Sequence, residues 1–216
     1  MYTLIAQIET ADLVGIRKAK ERIVLIKNIG AGLPVAWACI TPLENTSFQW
    51  NGGYALFVTT VGDQVGATVT MMARTQADTP GGARYAFQPS RMFGPPVPDH
   101  ELARNDYRID NLVPSSGRDT SLSFGLAQSI NGSENPLPLN TQFVPPMQSF
   151  TQSSSESVTI WLESEVDAGQ IVSIPPLQQA ADGNSIRSKA LVVNFDDNSH
   201  SQTVRYSAVL GRFAIT

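Results

Sequence analysis

The chain has 216 residues, 42% of them hydrophobic and 16% charged, and a net charge of −4. That length and apolar content support a substantial core. The acidic balance argues against a general nucleic-acid binder, which needs clustered Lys and Arg along a phosphate backbone. The charged share falls below the usual ~25%, and Ser, Thr, Asn and Gln carry the polarity instead, which suits strand faces and turns better than long surface helices.

Residues 3 to 9 alternate weakly and read as an edge strand. The segment Ala11 to Arg22 carries Leu13, Val14, Ile16 and Ala19 among charges and reads as a short helical turn or a charged loop. Three apolar runs follow: Ile23 to Ile26, Val35 to Ile40 and Tyr54 to Thr60. Gly30-Ala31-Gly32 and a polar bend ending in Asn51-Gly52-Gly53 separate them. Short apolar runs between glycine turns predict consecutive strands. Alternation places Trp37 and Cys39 on one face and Ala36 and Ala38 on the other. Val65 to Ala73 predicts a fourth strand, hairpin-linked to the third, and Tyr85 and Phe87 begin another.

The middle of the chain, residues 89–150, holds nine prolines. Proline lacks the donor that a sheet interior uses, so long loops and short edge strands are predicted there, with Ser121 to Leu126 as the best strand. Ser149 to Ser157 reads as an exposed polar loop. Strands return at Val158–Leu162, Gln170–Ile174, Ala190–Phe195 and Thr203–Ile215, with a turn at 196–199 and a bulge at Gly211. Short strands with frequent turns and little helix predict an all-β fold, an antiparallel β-sandwich or jelly-roll-like arrangement. Residues 1–216 form a single β-rich domain in this reading, and its opening and closing strands make the two halves.

Arg17, Lys18, Lys20, Arg22 and Lys27 form a basic cluster, whereas no Lys or Arg falls between Arg118 and Arg187. The cluster reads as a solubilising surface or as a patch for an acidic partner. Cys39 is the single cysteine, so no intrachain disulfide forms, and its apolar neighbours predict a packed thiol. A basic leader with a long apolar stretch is missing, as is any apolar run of ~18 residues. The expectation is a protein without a transmembrane segment, cytoplasmic or released without a classical signal peptide.

Common catalytic and phosphate-binding signatures are absent, and no cofactor is predicted. His100 sits between Asp99 and Glu101, and His200 follows Asp196 and Asp197. Imidazole with carboxylate serves acid–base chemistry or a divalent metal. His100, Glu101, Asp197 and His200 are therefore the catalytic candidates, and Asp99, His100, Asp196 and His200 the metal candidates. Ordinary solvated turns account for the same residues. Gln49, Trp50, Asn51 and Tyr54 gather amides and aromatics around a turn, the combination that recognises hydroxyl-bearing or interfacial ligands. A hairpin whose Trp covers the core edge is the alternative. The leading expectation is a lectin-like, non-enzymatic binding protein for a glycan, a lipid headgroup or a protein surface. The alternatives are a structural, self-assembling subunit, in which case the chain forms a homo-oligomer, and a histidine/carboxylate enzyme with metal assistance.

Overall fold

The computed structural model describes residues 1–115, 121–174, 178–179, 186–187, 189–196 and 199–216. The described chain is nearly all β, with one helix. It opens with β1 (Tyr2–Gln7), α1 (Thr10–Lys18), β2 (Arg22–Lys27), β3 (Leu33–Pro34), β4 (Ala38–Ile40), β5 (Asn45–Trp50) and β6 (Ala55–Thr59). Next come β7 (Ala73–Arg74), β8 (Ala83–Phe87), β9 (Val97–Pro98), β10 (Asp106–Asn111) and β11 (Ser123–Gln128). Then follow β12 (Leu137–Pro138), β13 (Asn140–Phe143), β14 (Ser149–Ser153) and β15 (Ser157–Glu163). The last are β16 (Gln178–Gln179), β17 (Ile186–Arg187), β18 (Leu191–Asn194), β19 (Ser201–Ser207) and β20 (Arg212–Ile215).

Three four-stranded sheets run in the orders β20-β19-β1-β5, β14-β10-β8-β9 and β18-β15-β2-β4. A fourth follows β3-β13-β11-β6-β7, with β12 also on β11, and β16 pairs β17. Most pairings are antiparallel, as the sandwich expectation requires; β1–β19 and β8–β10 are parallel. The sheets pack on one large apolar cluster that includes Leu4, Phe48, Tyr85, Ile109, Phe124, Ile160 and Phe213. Strands β6 and β11 are buried along their whole length; β6 accordingly reads as a continuous apolar run, whereas β11 also buries Ser123 and Gln128. The prolines inside strands lie in the two-residue elements β3, β9 and β12, where few ladder donors are needed.

Several elements differ from the sequence expectation, each for a local reason. Strand β1 is interior, held between β19 and β5. The segment after it is a nine-residue helix that buries Leu13 and Ile16. It ends in a Schellman-type cap: Glu21 N–H donates to Ile16 O, Lys20 N–H donates to Arg17 O, and Lys20 takes φ 56°. The stretch 65–73 is not a strand. Gly66 turns at φ 86°, Val65 and Met72 are exposed, Thr68 makes only an isolated bridge to Gln170, and the ladder with β6 is limited to Ala73–Arg74. Residues 170–174 contribute isolated bridges at Gln170 and Ile171 rather than a strand.

The end of the chain is a hairpin, β19 and β20 around a turn, and not one bulged strand. The opening and closing strands share sheets instead of forming separate halves, since β2 pairs β15 and β1 pairs β19. The segment 149–157 contains β14, and its Glu156 turns inward. Trp37 and Cys39 do not share a face. Trp37 and Ala38 join the large cluster, while Ala36 and Cys39 pack on a smaller one with Trp161. The Trp37 N–H donates to Leu25 O although Leu25 pairs with Ala38, a bulge that resets the alternation.

Candidate functional site

Strand β5 alternates cleanly. Thr46, Phe48 and Trp50 point inward, while Asn45, Ser47 and Gln49 face out. It leads into the turn Asn51–Gly53, which delivers Tyr54 to the start of β6. Gly53 lets the Asp78 carboxylate lie against the turn, and a β-carbon there would push that carboxylate aside. Asp78 itself adopts φ 60°, the left-handed region, to reach that position.

Beneath the turn lies a buried polar network. Along β2, Ile23 and Leu25 enter the large cluster, and Lys27 occupies the next position on the same face at 1% exposure. Its Nζ donates to Glu156 Oε2 at 2.5 Å. The ammonium lies 4.8 Å from the Trp50 ring centre, 5.4 Å from Trp37 and 5.7 Å from Tyr54, within cation–π range of all three. Glu156 also accepts from Trp50 Nε1 at 2.9 Å and from the Tyr54 hydroxyl at 2.7 Å. Trp37 Nε1 donates to Gln128 O at 3.0 Å, and Gln128 Nε2 donates to Asn51 O at 2.6 Å. One carboxylate thus ties down the residues on either side of the turn, and Gln128 holds the turn itself.

Burial pushes Lys27 down to about 8, against the opposing pull of Glu156. Burial, with the Glu156 charge and hydrogen bond adding to it, raises Tyr54 well above the usual tyrosine range. Tyr107 is raised by burial too, opposed by a hydrogen bond from Ser154. The amine is sealed: its side chain has no exposed surface, so it cannot reach a substrate carbonyl as a nucleophile.

Above this network the surface forms a depression of ≈380 Å³. Gln49, Trp50, Asn51 and Tyr54, the four residues singled out from the sequence, all line it. Trp50 and Tyr54 are only 3% and 2% exposed, so they form a wall and not a stacking platform. Their rings are engaged from within by Lys27, and Tyr2 stacks on Trp50 at 5.9 Å. The polar lining consists of Gln49, Asn51, Asp78, Ser129, Ser133 and Glu134, beside the buried Gln128. No Lys, Arg or His occurs among the described lining residues. The loop carrying Ser129 to Glu134 is clamped to β5. Gln49 N–H donates to Asn131 Oδ1 at 2.8 Å, and Asn131 N–H donates to Gln49 O at 2.7 Å.

His100 lies exposed in the turn where Glu101 N–H donates to Asp99 Oδ1 at 3.0 Å. His200 is exposed at the entry to β19, its ring 5.0 Å from that of Tyr2. Asp196 bridges Ser199, and Asp197 lies outside the described residues. Among the described residues no group of three or more His, Cys, Asp or Glu side chains is placed to hold a metal ion, so Asp99, His100, Asp196 and His200 are not brought into one. Burial pushes the Cys39 thiol up to about 11, away from the thiolate that nucleophilic chemistry needs. The basic cluster loses two of its members: Lys27 is interior and Arg22 pairs with Asp167 at 2.8 Å, while Arg17, Lys18 and Lys20 remain exposed at the end of α1.

Sequence reasoning missed Lys27 and Glu156. The alternation Ile23, Leu25, Lys27 carried the signal for the first, because it continues the inward face of β2. Nothing in the serine-rich run around Glu156 marks it as inward. No family model, curated protein or solved structure matches the chain.

Proposed function

We propose that this is a non-enzymatic, lectin-like binding protein that takes a neutral, hydroxyl-rich glycan in the depression beside the Asn51–Gly53 turn. The observation that carries the reading is the lining itself. Amides (Gln49, Asn51), carboxylates (Asp78, Glu134) and hydroxyls (Ser129, Ser133) converge there without a Lys, Arg or His side chain. Amides donate to and accept from sugar hydroxyls and carboxylates accept from them, whereas phosphate or carboxylate headgroups call for Lys or Arg. The volume suits one or two sugar rings rather than a flat protein surface. A screen of the purified protein against immobilised neutral and anionic glycans tests it. Neutral glycans are expected to be retained, and Asn51→Ala to weaken retention about tenfold with an unchanged unfolding midpoint. Retention only of anionic glycans, or of none, would sink the reading.

A further inference from the structure

The Asn51–Gly53 turn is fastened at three points, and two of them end on the same carboxylate. Trp50, directly before the turn, and Tyr54, directly after it, both donate to Glu156. The third is Gln128 Nε2 on Asn51 O. Glu156 comes from the short loop between β14 and β15, and its carboxylate is held inward by Lys27. Its side chain keeps 19% of its surface exposed, so an outward path to water is open to it, whereas the Lys27 side chain has none.

Resting on the ligand reading above, we infer that Lys27 and Glu156 form a proton-operated latch: while the ammonium is charged the turn is fastened and the depression is shaped for its ligand, and loss of that proton releases Glu156 outward and loosens the turn. Without the cation, Glu156 remains as a desolvated anion with only neutral donors around it, the indole N–H, the Tyr54 hydroxyl and the uncharged amine, and water becomes the better solvent for it. The three rings that enclose the charge lose their cation–π partner in the same step. The groups that set the titration are few. Glu156 faces the ammonium from the β14–β15 loop and Tyr54 from the start of β6, and Tyr107 on β10 feels Glu156 and in turn acts on Tyr54. Burial sets Lys27 at about 8, so mild alkalinity operates the latch.

The test needs no ligand for its first arm. Nuclear magnetic resonance of the full chain follows the Lys27 side-chain carbon, the Trp50 indole N–H and the Asn51, Gly52 and Gly53 amides from about pH 6.5 to about pH 9.5. All are expected to shift together with one midpoint, and the turn amides are expected to stay still in the double variant Lys27→Met, Glu156→Gln. Lys27→Arg, which keeps its charge throughout, is expected to be flat as well and serves if the double variant does not fold. A Lys27 that titrates while the turn amides do not move would reduce the pair to a structural one and overturn the latch, as would a Lys27 that holds its proton across the range. In the second arm, affinity for the best-retained neutral glycan is expected to weaken at least about fivefold between pH 7 and pH 9 in the wild type, and less than about twofold in the double variant. A concerted shift in the first arm with no glycan retained at either pH supports the latch and removes the ligand reading alone.

Discussion

The two faces of β2 meet different interiors. One face presents Val24 and Ile26 to a small apolar cluster built around Trp161, Ala36 and Val172. The other begins in the same manner with Ile23 and Leu25 but ends at Lys27, boxed in by Trp37, Trp50, Tyr54 and Glu156. Each side has one fully buried tryptophan. Trp37 Nε1 has a carbonyl partner, whereas Trp161 Nε1 is buried with none among the described residues. The apolar side is held by packing and tolerates a change of shape poorly. The polar side is held by matched donors and acceptors and tolerates a change of charge poorly.

Truncation is expected to hurt both sides most and about equally: Trp37→Ala and Trp161→Ala should each cost about 3–5 kcal/mol in urea unfolding. Glu156→Ala comes next. It strands the buried ammonium, and a loss of about 3 kcal/mol is expected at pH 7, shrinking as pH rises through about 8 and Lys27 discharges. A loss that does not depend on pH would mean that the ion pair is not what separates the two faces. The pair Trp37→Phe and Trp161→Phe sharpens the contrast further. Both leave a similar small cavity, but the first also removes the donor to Gln128 O and should cost about 1–2 kcal/mol more than the second, whose N–H has no partner among the described residues. The smallest effect belongs to the double variant Lys27→Met, Glu156→Gln, expected within about 1 kcal/mol of the wild type, because apolar replacement of a buried pair removes its desolvation cost together with its attraction.

Wild-type stability should also follow the titrations. Between about pH 8 and about pH 10 the unfolded chain keeps a proton on Lys27 that the folded protein has released, so stability rises with pH. Above about pH 10 the unfolded chain loses the Tyr54 proton that the folded protein retains, and stability falls. Urea midpoints collected across this range would show a maximum; a monotonic decline from pH 7 would contradict the burial of Lys27.

Legibility in the sequence followed the physics of each strand. Runs buried on both faces, such as β6 and residues 158–161 of β15, announce themselves by largely apolar sequence. Strand β5 was hidden because Asn45, Ser47 and Gln49 resemble a polar bend, although Thr46, Phe48 and Trp50 keep perfect period-two burial. The stretch 65–73 shows the reverse error: it is apolar in composition, but only Val69 among its large side chains is buried, and the turn at Gly66 breaks the extended path. At the site, the turn and its two aromatics were visible as a cluster of residue types. Their anchoring was not, because Lys27 and Glu156 are 129 residues apart and nothing local announces that pairing.

The parallel pairing of β1 with β19 sets an order of events during synthesis. Thr3 aligns with Ser201 and Gln7 with Arg205, so one edge of the first strand stays open until residues 201–207 have left the ribosome. Its other edge is covered much sooner by β5. A chain stalled short of residue 201 therefore displays an unpaired row of backbone donors and acceptors on a strand destined for the interior, which is the template that invites mispairing with a neighbouring chain. Completion of this sheet must bring residues 3–7 together with residues 201–205, a long-range closure that is slow to form.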